Sequence, residues 1–528
     1  MTSHLQNQLQ ALSQPDVRGV LAAINRGIEK ESLRITPGGK LAQTTHPAGL
    51  GSALTHSSIT TDYSEALLEF ITPVSSSIEK SLETLEDIHT FVYQQIGDEL
   101  LWSASMPCIV TGDASIPVAH YGSSNVARMK TVYRYGLGHR YGRLMQAIAG
   151  IHYNFSMPQE YWDQAWQNAG CPGERSAYIT DRYLGLIRNF HRYSWLLIYL
   201  FGASPAVCAS FLRGRDNHGL QAFDEESKSL HLPYATALRM GGLGYNSDAQ
   251  KNLNVCYNSL DNYVETLSRA IKQPHPGYGS IPCGQGGDYQ QLNDSLLQIE
   301  NEFYSPIRPK RVADSGEAPL CALVRAGIEY IEVRCVDISP FSPVGLDAEQ
   351  MRFLDNFLLY CLLEESPACD DDEQETQAAN LEAVVNSGRK PGLQLKNGRH
   401  GTPLIDWGRD LLNAMGPIAD LLDSEHESSD YNASLQHQLA KVEDPELTPS
   451  ARILREMREQ NLPFFRLAMA YSKQWAQYFR ERPVAADVQI AFNEMTQHSL
   501  QTQTDIEQSD SVSFKQYLAD FFAQYATL

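Results

Sequence analysis

Apolar and polar residues alternate with a period of two over several short runs in the first two-thirds of the chain, and recur every three to four residues over longer runs elsewhere. The first pattern predicts strands at Gly27-Ile28-Glu29-Lys30-Glu31-Ser32-Leu33-Arg34, Ile151-His152-Tyr153-Asn154-Phe155 and Gly327-Ile328-Glu329-Tyr330-Ile331-Glu332-Val333-Arg334. A strand turns alternate side chains to one face, so Glu29 and Glu31 share a face, as do Glu332 and Arg334. Ile331 and Val333 point the other way, into a core, and His152, Asn154 and Ser156 form one polar side. In Thr61-Asp62-Tyr63-Ser64-Glu65-Ala66-Leu67-Leu68-Glu69-Phe70, Glu65 and Glu69 lie on one face in either a strand or a helix, and spacing does not choose between them.

The longer period predicts amphipathic helices over residues 1–24 (Leu5, Leu9, Leu12, Val17, Val20, Leu21) and Ile78 to Leu101 (Leu82, Leu85, Ile88, Val92, Ile96). After Pro343 the chain turns helical: Ala348 to Leu363, Pro449 to Arg480 and Phe514 to Tyr525, with an acidic loop around Asp370-Asp371-Asp372-Glu373. Gly214 to Leu230 and Lys272 to Gln290 lack either period and are expected to be surface loops. The uncharged run Ser194 to Leu212 is interrupted by Gly202, Ser204, Pro205 and Ser210 and has no companion, which makes it buried core rather than a membrane span. The expected class is α+β, with an antiparallel sheet bearing the site, a sheet-bearing core over residues 20–345 and a mainly helical part over residues 346–528.

Charge narrows the partners. Lys and Arg number 42 against 63 Asp and Glu, a formal charge of −21, which opposes nonspecific attraction to nucleic acid or anionic lipid. An anionic ligand therefore needs a local reversal of the field, by a bound cation or by basic side chains such as Arg308, Lys310, Arg311 and Arg334. The nine cysteines are scattered, with no Cys-x-x-Cys pair, so they form neither a zinc pattern nor a disulfide framework, and free thiols are expected. Cys335 reads as a small buried residue. The opening Met1-Thr2-Ser3-His4-Leu5-Gln6 has neither a basic nor an apolar leader region, and a cytoplasmic protein is the expectation.

Carboxylates on a buried sheet need partners, because burying an unpaired charge is expensive. Glu332 can hold Mg²⁺ while Arg334, two residues on, can hold a phosphate oxygen, a combination that suits metal-bound nucleotide phosphates. Any one of these pairs alone reads as a solvated strand edge or a structural salt bridge. No G-x-x-x-x-G-K-[ST] loop occurs, and Gly284-Gln285-Gly286-Gly287 is followed by Asp288, so a nucleotide would be held by a sheet. No Ser-His-Asp or Cys-His arrangement can be read from the spacing. His56 and His139 read as hydrogen-bonding or surface groups.

The segments Arg26-Gly27-Ile28-Glu29-Lys30-Glu31-Ser32-Leu33-Arg34, Gly51-Ser52-Ala53-Leu54-Thr55-His56, Ala66-Leu67-Leu68-Glu69-Phe70-Ile71-Thr72-Pro73 and Gly150-Ile151-His152-Tyr153-Asn154-Phe155 closely resemble proteobacterial glutamate-cysteine ligase. So do Tyr199-Leu200-Phe201-Gly202-Ala203-Ser204-Pro205-Ala206, Leu232-Pro233-Tyr234-Ala235-Thr236, Pro306-Ile307-Arg308-Pro309-Lys310-Arg311 and the segment from Gly327 to Arg334. The resemblance runs in order from about residue 20 to about 365 and is weaker afterwards, with Ser450-Ala451-Arg452-Ile453-Leu454 still similar.

What the resemblance implies is ATP-dependent joining of the γ-carboxyl of L-glutamate to the amino group of L-cysteine through a γ-glutamyl phosphate, the first step of glutathione biosynthesis. It implies a glutamine-synthetase-like curved antiparallel sheet forming a funnel with flanking helices. One catalytic chain over residues 1–528 is expected, a monomer with an oligomer as the alternative, whose partners are the small-molecule substrates and not nucleic acid or membrane. The resemblance carries over Glu29, Glu31, Asp62, Glu69, His152 and Glu332 as ligands of Mg²⁺. His152 is the odd member: imidazole favours softer ions, so the expectation is equally that it hydrogen-bonds a phosphate or tolerates Mn²⁺. The resemblance also carries over Arg334 as a phosphate contact and Tyr133, Arg134, Arg239, Tyr245 and Tyr304 as amino-acid pocket positions. Only the resemblance selects Glu69 over Glu65; Glu329 is expected to be structural. A ligase of the same fold with another amine acceptor, or a non-catalytic relative, are the alternatives, and the second would be expected to have lost some of the six ligands or Arg334. None is missing.

Overall fold

The runs of period two become neighbours in one sheet. A computed structural model describes residues 3–13, 19–107, 109–213, 218–223, 228–243, 250 and 253–528. Its strands are β1 (Asn25–Ile35), β2 (Ile59–Thr61), β3 (Leu67–Ile71), β4 (Leu100–Leu101), β5 (Ile151–Ser156), β6 (Ala206–Cys208), β7 (Gln221–Ala222), β8 (Ser229–His231), β9 (Ile307–Lys310), β10 (Tyr330–Val336), β11 (Gln394–Asn397) and β12 (His400–Pro403). The main sheet has the order β2-β3-β1-β5-β10-β9, antiparallel throughout, with β4 paired to the end of β1. β6, β8 and β7 form a small separate sheet and β11 and β12 a hairpin.

Register decides what this sheet can do. Glu31 is opposite Glu69, Glu29 is opposite His152, and Glu332 is opposite Asn154 on one side and Arg308 on the other. Directly opposed residues project to the same face, so side chains from β3, β1, β5, β10 and β9 meet on one polar surface. The reverse face carries Ile28, Tyr153, Phe155, Ile331 and Val333, all buried.

The helices are α1 (Ser3–Leu12), α2 (Ile78–Gln95), α3 (Asn125–Tyr141), α4 (Gln159–Asn168), α5 (Arg175–Phe201), α6 (Leu260–Lys272), α7 (Pro319–Ala326), α8 (Ala348–Leu363), α9 (Asp371–Ser387), α10 (Leu404–His426), α11 (Asp430–Glu443), α12 (Pro449–Glu459), α13 (Phe464–Glu481), α14 (Ala486–Ser509) and α15 (Phe514–Ala523). α2 packs on β1 and β3, α5 on β9 and β10, and α8 lies against α2, α5, α10 and α11. On this reverse side Arg26 of β1 pairs with Asp355 of α8 at 2.7 Å, both side chains fully buried, and the Tyr153 hydroxyl donates to the same carboxylate at 2.7 Å.

Several elements depart from the pattern of the chain. Asp370 to Glu373 is not a loop: Asp370 caps α9, accepting from the Glu373 amide at 2.8 Å, and its acidic neighbours fill the first turn, where the helix dipole favours negative charge. Pro449 to Arg480 is two helices, broken where Asn461 takes φ 50° and Pro463 precedes α13. The described part of Gly214 to Leu230 contributes β7 and the start of β8 rather than loop alone. In residues 1–24 the helix ends at Leu12, Val17 lies outside the described residues, and Leu21 sits in a short 3-10 turn. Much of Ser194 to Leu212 is the buried end of α5, and no helix among the described residues is long and apolar enough to cross a membrane. The eight described cysteines are free, and Cys335 is buried.

Candidate active site

The polar face of the sheet forms the floor of a cavity of about 290 Å³. Glu29, Glu31, Asp62, Glu69, His152 and Glu332 line it together, joined by Arg134, Arg308, Lys310 and Arg334. Strand alternation delivers four of the six acidic or imidazole groups from β1, β5 and β10; β3 supplies Glu69, and the turn between β2 and β3 supplies Asp62.

His152 is the hub. Its Nδ1 lies 3.4 Å from Glu29 Oε2 and 3.6 Å from Glu332 Oε1, and its Nε2 lies 3.7 Å from Glu31 Oε1. One ligand atom each from Glu29, His152 and Glu332 fall within 4.8 Å of one another, a spacing that a single ion can bridge. Asn154 Nδ2 donates to Glu29 Oε1 at 2.8 Å, and the Gly150 amide donates to Glu31 Oε2 at 2.6 Å, so the carboxylates are aimed by β5 and by the residue that leads into it.

The charges divide into two ends. Burial works against ionisation of Glu332, but Lys310, Arg334, His152 and Arg308 outweigh it and hold its carboxyl below the usual range. Burial likewise opposes ionisation of Glu29, and the His152 hydrogen bond carries it below its ordinary value. At the other end burial, with Asp62 beside it, pushes Glu31 up to about 7, and burial with Glu29, Asp62 and Glu31 nearby pushes Glu69 well above the carboxylate range. Hard oxygen donors crowded this way, with too few protein cations to balance them, fit a divalent ion of the Mg²⁺ type. The Lys310 ammonium, 3.4 Å from Glu332, and Arg308 and Arg334 form the cationic rim against which phosphate oxygens can rest.

The opposite wall is built from α3 and the segment before β9. Tyr133, Leu137 and Tyr141 stand at i, i+4 and i+8 on α3, and Tyr63, Met145, Gln146, Gln250, Asn301, Glu302 and Tyr304 complete the lining. Gly136 lets this wall close: a Cβ there would lie 2.1 Å from Gln298 Oε1, and Gln298 Nε2 donates to the Tyr133 carbonyl at 3.1 Å. Arg140 and Glu302 form a fully buried ion pair at 2.9 Å behind it, with the Tyr141 hydroxyl donating to the same carboxylate at 2.5 Å.

A family model described as glutamate-cysteine ligase matches residues 9–384. The chain belongs to the glutamate-cysteine ligase family. A glutamate-cysteine ligase of Alcanivorax borkumensis is 50% identical over 524 residues, covering 98% of this chain and 99% of that one. One from Pseudomonas fluorescens is 48% identical, with 94% and 93% coverage. Among solved structures, the glutamate-cysteine ligase of Francisella tularensis in complex with AMP superposes with a TM-score of 0.89 at 35% identity, covering 96% of this chain and 98% of that one. A bifunctional glutathione synthetase from Pasteurella multocida shares the fold, with a TM-score of 0.73 at 24% identity over 93% of this chain and 58% of that one.

Within this glutamate-cysteine ligase fold the remaining candidates separate. Tyr133, Arg134 and Tyr304 line the cavity; Tyr245 lies outside the described residues. Arg239 is held behind the floor, donating to Asp337 at 2.5 Å and to the Val336 carbonyl at 2.7 Å, and is not among the lining side chains. Glu65 faces away, accepting from the amides of His46 and His120 at 2.8 Å each, and so ties two loops while Glu69 enters the cavity. Glu329 is partly exposed and pairs with Arg311 at 3.7 Å, leaving Arg308, Lys310 and Arg334 as the basic residues of that group in the cavity. His56 Nδ1 accepts two backbone amides, and His139 is bonded to Gln290. The wall residues Tyr63, Leu137, Tyr141, Met145, Gln146 and Glu302 escaped the pattern of the chain, although the four-residue spacing of Tyr133, Leu137 and Tyr141 is a signal for one helical stripe.

Proposed function

We infer that this chain joins the γ-carboxyl of L-glutamate to the amino group of L-cysteine at the cost of ATP, forming ADP and phosphate in the first step of glutathione synthesis. The observation that carries the reading is the opposition within one cavity of a carboxylate-imidazole floor, a cationic rim and a tyrosine-rich wall. A carboxylate is a poor electrophile, so oxygen of the glutamate γ-carboxyl first takes the terminal phosphoryl group of ATP, releasing ADP. The neutral amine of cysteine then attacks the acyl carbon, the carbon–oxygen bond to phosphate breaks, inorganic phosphate leaves with the electron pair, and the nitrogen releases a proton to the departing phosphate or to water.

Glu29, His152 and Glu332, with Glu31, Asp62 and Glu69 beside them, would hold Mg²⁺, and Mn²⁺ is compatible with His152. When bound, such ions neutralise phosphate charge and fix in-line geometry. Arg334, with Arg308 and Lys310, holds phosphate oxygens during transfer, and its planar fork suits two of them at once. Asn154 and Gly150 keep Glu29 and Glu31 aimed into the cavity. Tyr133, Arg134, Leu137 and Tyr304 form the wall that takes the amino acids, Arg134 offering charge for a carboxylate and the aromatic groups a low-polarity surface for the cysteine side chain. The substrates are small molecules, and the protein works without nucleic acid or membrane, in the cytoplasm, as a monomer.

The purified chain supplied with glutamate, cysteine, ATP and Mg²⁺ is expected to yield γ-glutamylcysteine and ADP in equal amounts, resolved by mass. Equal turnover with an unrelated amine, and no advantage for cysteine, would remove the acceptor assignment while leaving a carboxylate-amine ligase.

A further inference from the structure

The last helix of the chain, beyond the stretch matched by the family model, reaches the back of the amino-acid wall at two points. At its start, Phe514 and Leu518 of α15 pack against Met129 and Val132 of α3, in the turn that leads into Tyr133 and Arg134. The Arg128 guanidinium lies 4.3 Å from the centre of the Phe514 ring and 5.2 Å from that of Tyr289. Asn125 at the start of α3 donates its side-chain amide to the Val512 carbonyl at 3.0 Å and its backbone amide to Asp510 at 2.5 Å.

In the 3-10 turn just past its end, Tyr525, 1% exposed, donates its hydroxyl to Oε2 of the buried Glu300. Glu300 Oε1 accepts from the Leu320 amide at 2.8 Å, and the Gln524 side-chain oxygen accepts from the Ala318 amide at 2.9 Å. Glu300 and the tail thus satisfy free amides at the start of α7, the helix that leads into β10 with Glu332 and Arg334. Glu300 also directly precedes Asn301, Glu302 and Tyr304 of the cavity lining, and Arg308 Nη2 donates to the Asn301 carbonyl at 2.9 Å.

We propose that residues 510–528 are a strap that sets the amino-acid wall against the metal-facing floor, with Tyr525 as its positioning residue acting through Glu300. The proposal rests on the reading of that wall as the amino-acid site. A buried carboxylate that loses one of its donors turns or draws in water, and either motion shifts the short segment that carries Asn301, Glu302 and Tyr304. The carboxylate floor is held chiefly by the β1–β5–β10 register and by Asn154 and Gly150, so Glu29, Glu31 and Glu332 stay in place and the nucleotide side moves less than the wall, although Arg308 of the rim is bonded to the Asn301 carbonyl.

The test is Tyr525→Phe in the full chain, which removes the hydroxyl and keeps the ring. The KM of at least one amino acid is expected to rise by about three- to tenfold, the size of one ordinary hydrogen bond, with the KM for MgATP changed less than about twofold. Phe514→Leu, which loosens the other anchor, carries the same expectation should Tyr525→Phe not fold. A lowered melting temperature with all KM values unchanged, or a parallel rise for amino acids and MgATP, overturns the strap. Leu137→Ala, within the wall itself, separates the two readings. If it raises an amino-acid KM while Tyr525→Phe is silent, the strap alone fails; if it leaves both amino-acid KM values unchanged, the wall assignment fails.

Discussion

Glu332 Oε1 lies 3.4 Å from the Lys310 ammonium, so the carboxylate proposed to hold metal on β10 is kept ionised by a cation from β9 in the same cavity. Glu332→Gln preserves volume and removes the charge. Turnover is expected to fall by on the order of a hundredfold or more, as for loss of a metal ligand in phosphoryl transfer. The melting temperature should move little, because Lys310 retains access to water and to Glu29 nearby. Glu329→Gln is the control: its partner Arg311 lies 3.7 Å away at the surface, where such pairs contribute about 0–1 kcal/mol, so activity should stay near native. A Mg²⁺ titration with near-native activity for Glu332→Gln removes Glu332 from the site.

Arg26 and Asp355 present the opposite case, a buried pair on the reverse face of the same sheet. Asp355→Ala leaves the guanidinium enclosed without its carboxylate and strips an acceptor from Tyr153. Breaking such a pair costs about 3–5 kcal/mol. Urea melts should show that loss, while the KM values of the folded enzyme stay near native because no cavity-lining residue is touched. A stability change under about 1 kcal/mol contradicts the assignment.

These two pairs mark what the chain reveals and what it hides. Glu29, Glu31, His152, Glu332 and Arg334 were legible because a strand's period of two is local, and Ile331 and Val333 announce which side is core. Asn154 follows from the same alternation once His152 is placed. Arg239 could not be placed that way: its partner Asp337 is 98 residues distant, and only tertiary structure shows the guanidinium committed to it. The choice between Glu65 and Glu69 was closed to spacing because it depends on a turn after Asp62 and on two distant amides, those of His46 and His120. Helix α14 left no readable stripe, since Phe492, Thr496 and Ser499 are its buried residues and two of them are polar.

His56 gives a pH prediction. Its Nδ1 accepts from the amides of Ser58 at 3.1 Å and Ile59 at 3.0 Å, which requires a neutral ring, and burial lowers its pKa to about 4. The unfolded chain binds a proton there near pH 6.5, so between about 6.5 and 4 the unfolded state holds more protons than the folded one. Stability is fully present above about 6.5 and is lost as pH falls through that window. His56→Asn offers an amide oxygen in place of Nδ1 and does not titrate. Its melting temperature should fall less steeply than that of the native chain between pH 6.5 and 4; identical slopes would show that His56 does not couple folding to protons.

Arg334 stands beside Glu332, its Nη1 3.8 Å from Glu332 Oε2, with its side chain at the cavity surface. That placement leaves the guanidinium facing the volume where phosphate oxygens would lie between the floor and the rim. Arg334→Lys keeps one positive charge but loses the fork that grips two oxygens, so it is not a conservative change here. If the contact strengthens as the phosphoryl group passes between anions, kcat falls more than the KM for ATP rises, by about tenfold or more for a loss of about 1.4 kcal/mol. The same substitution should leave melting unchanged, because the ammonium can still lie against Glu332. A variant that changes only the KM for cysteine moves Arg334 to the amino-acid side, and one that changes nothing makes it a structural partner of Glu332; in both cases the phosphate assignment falls.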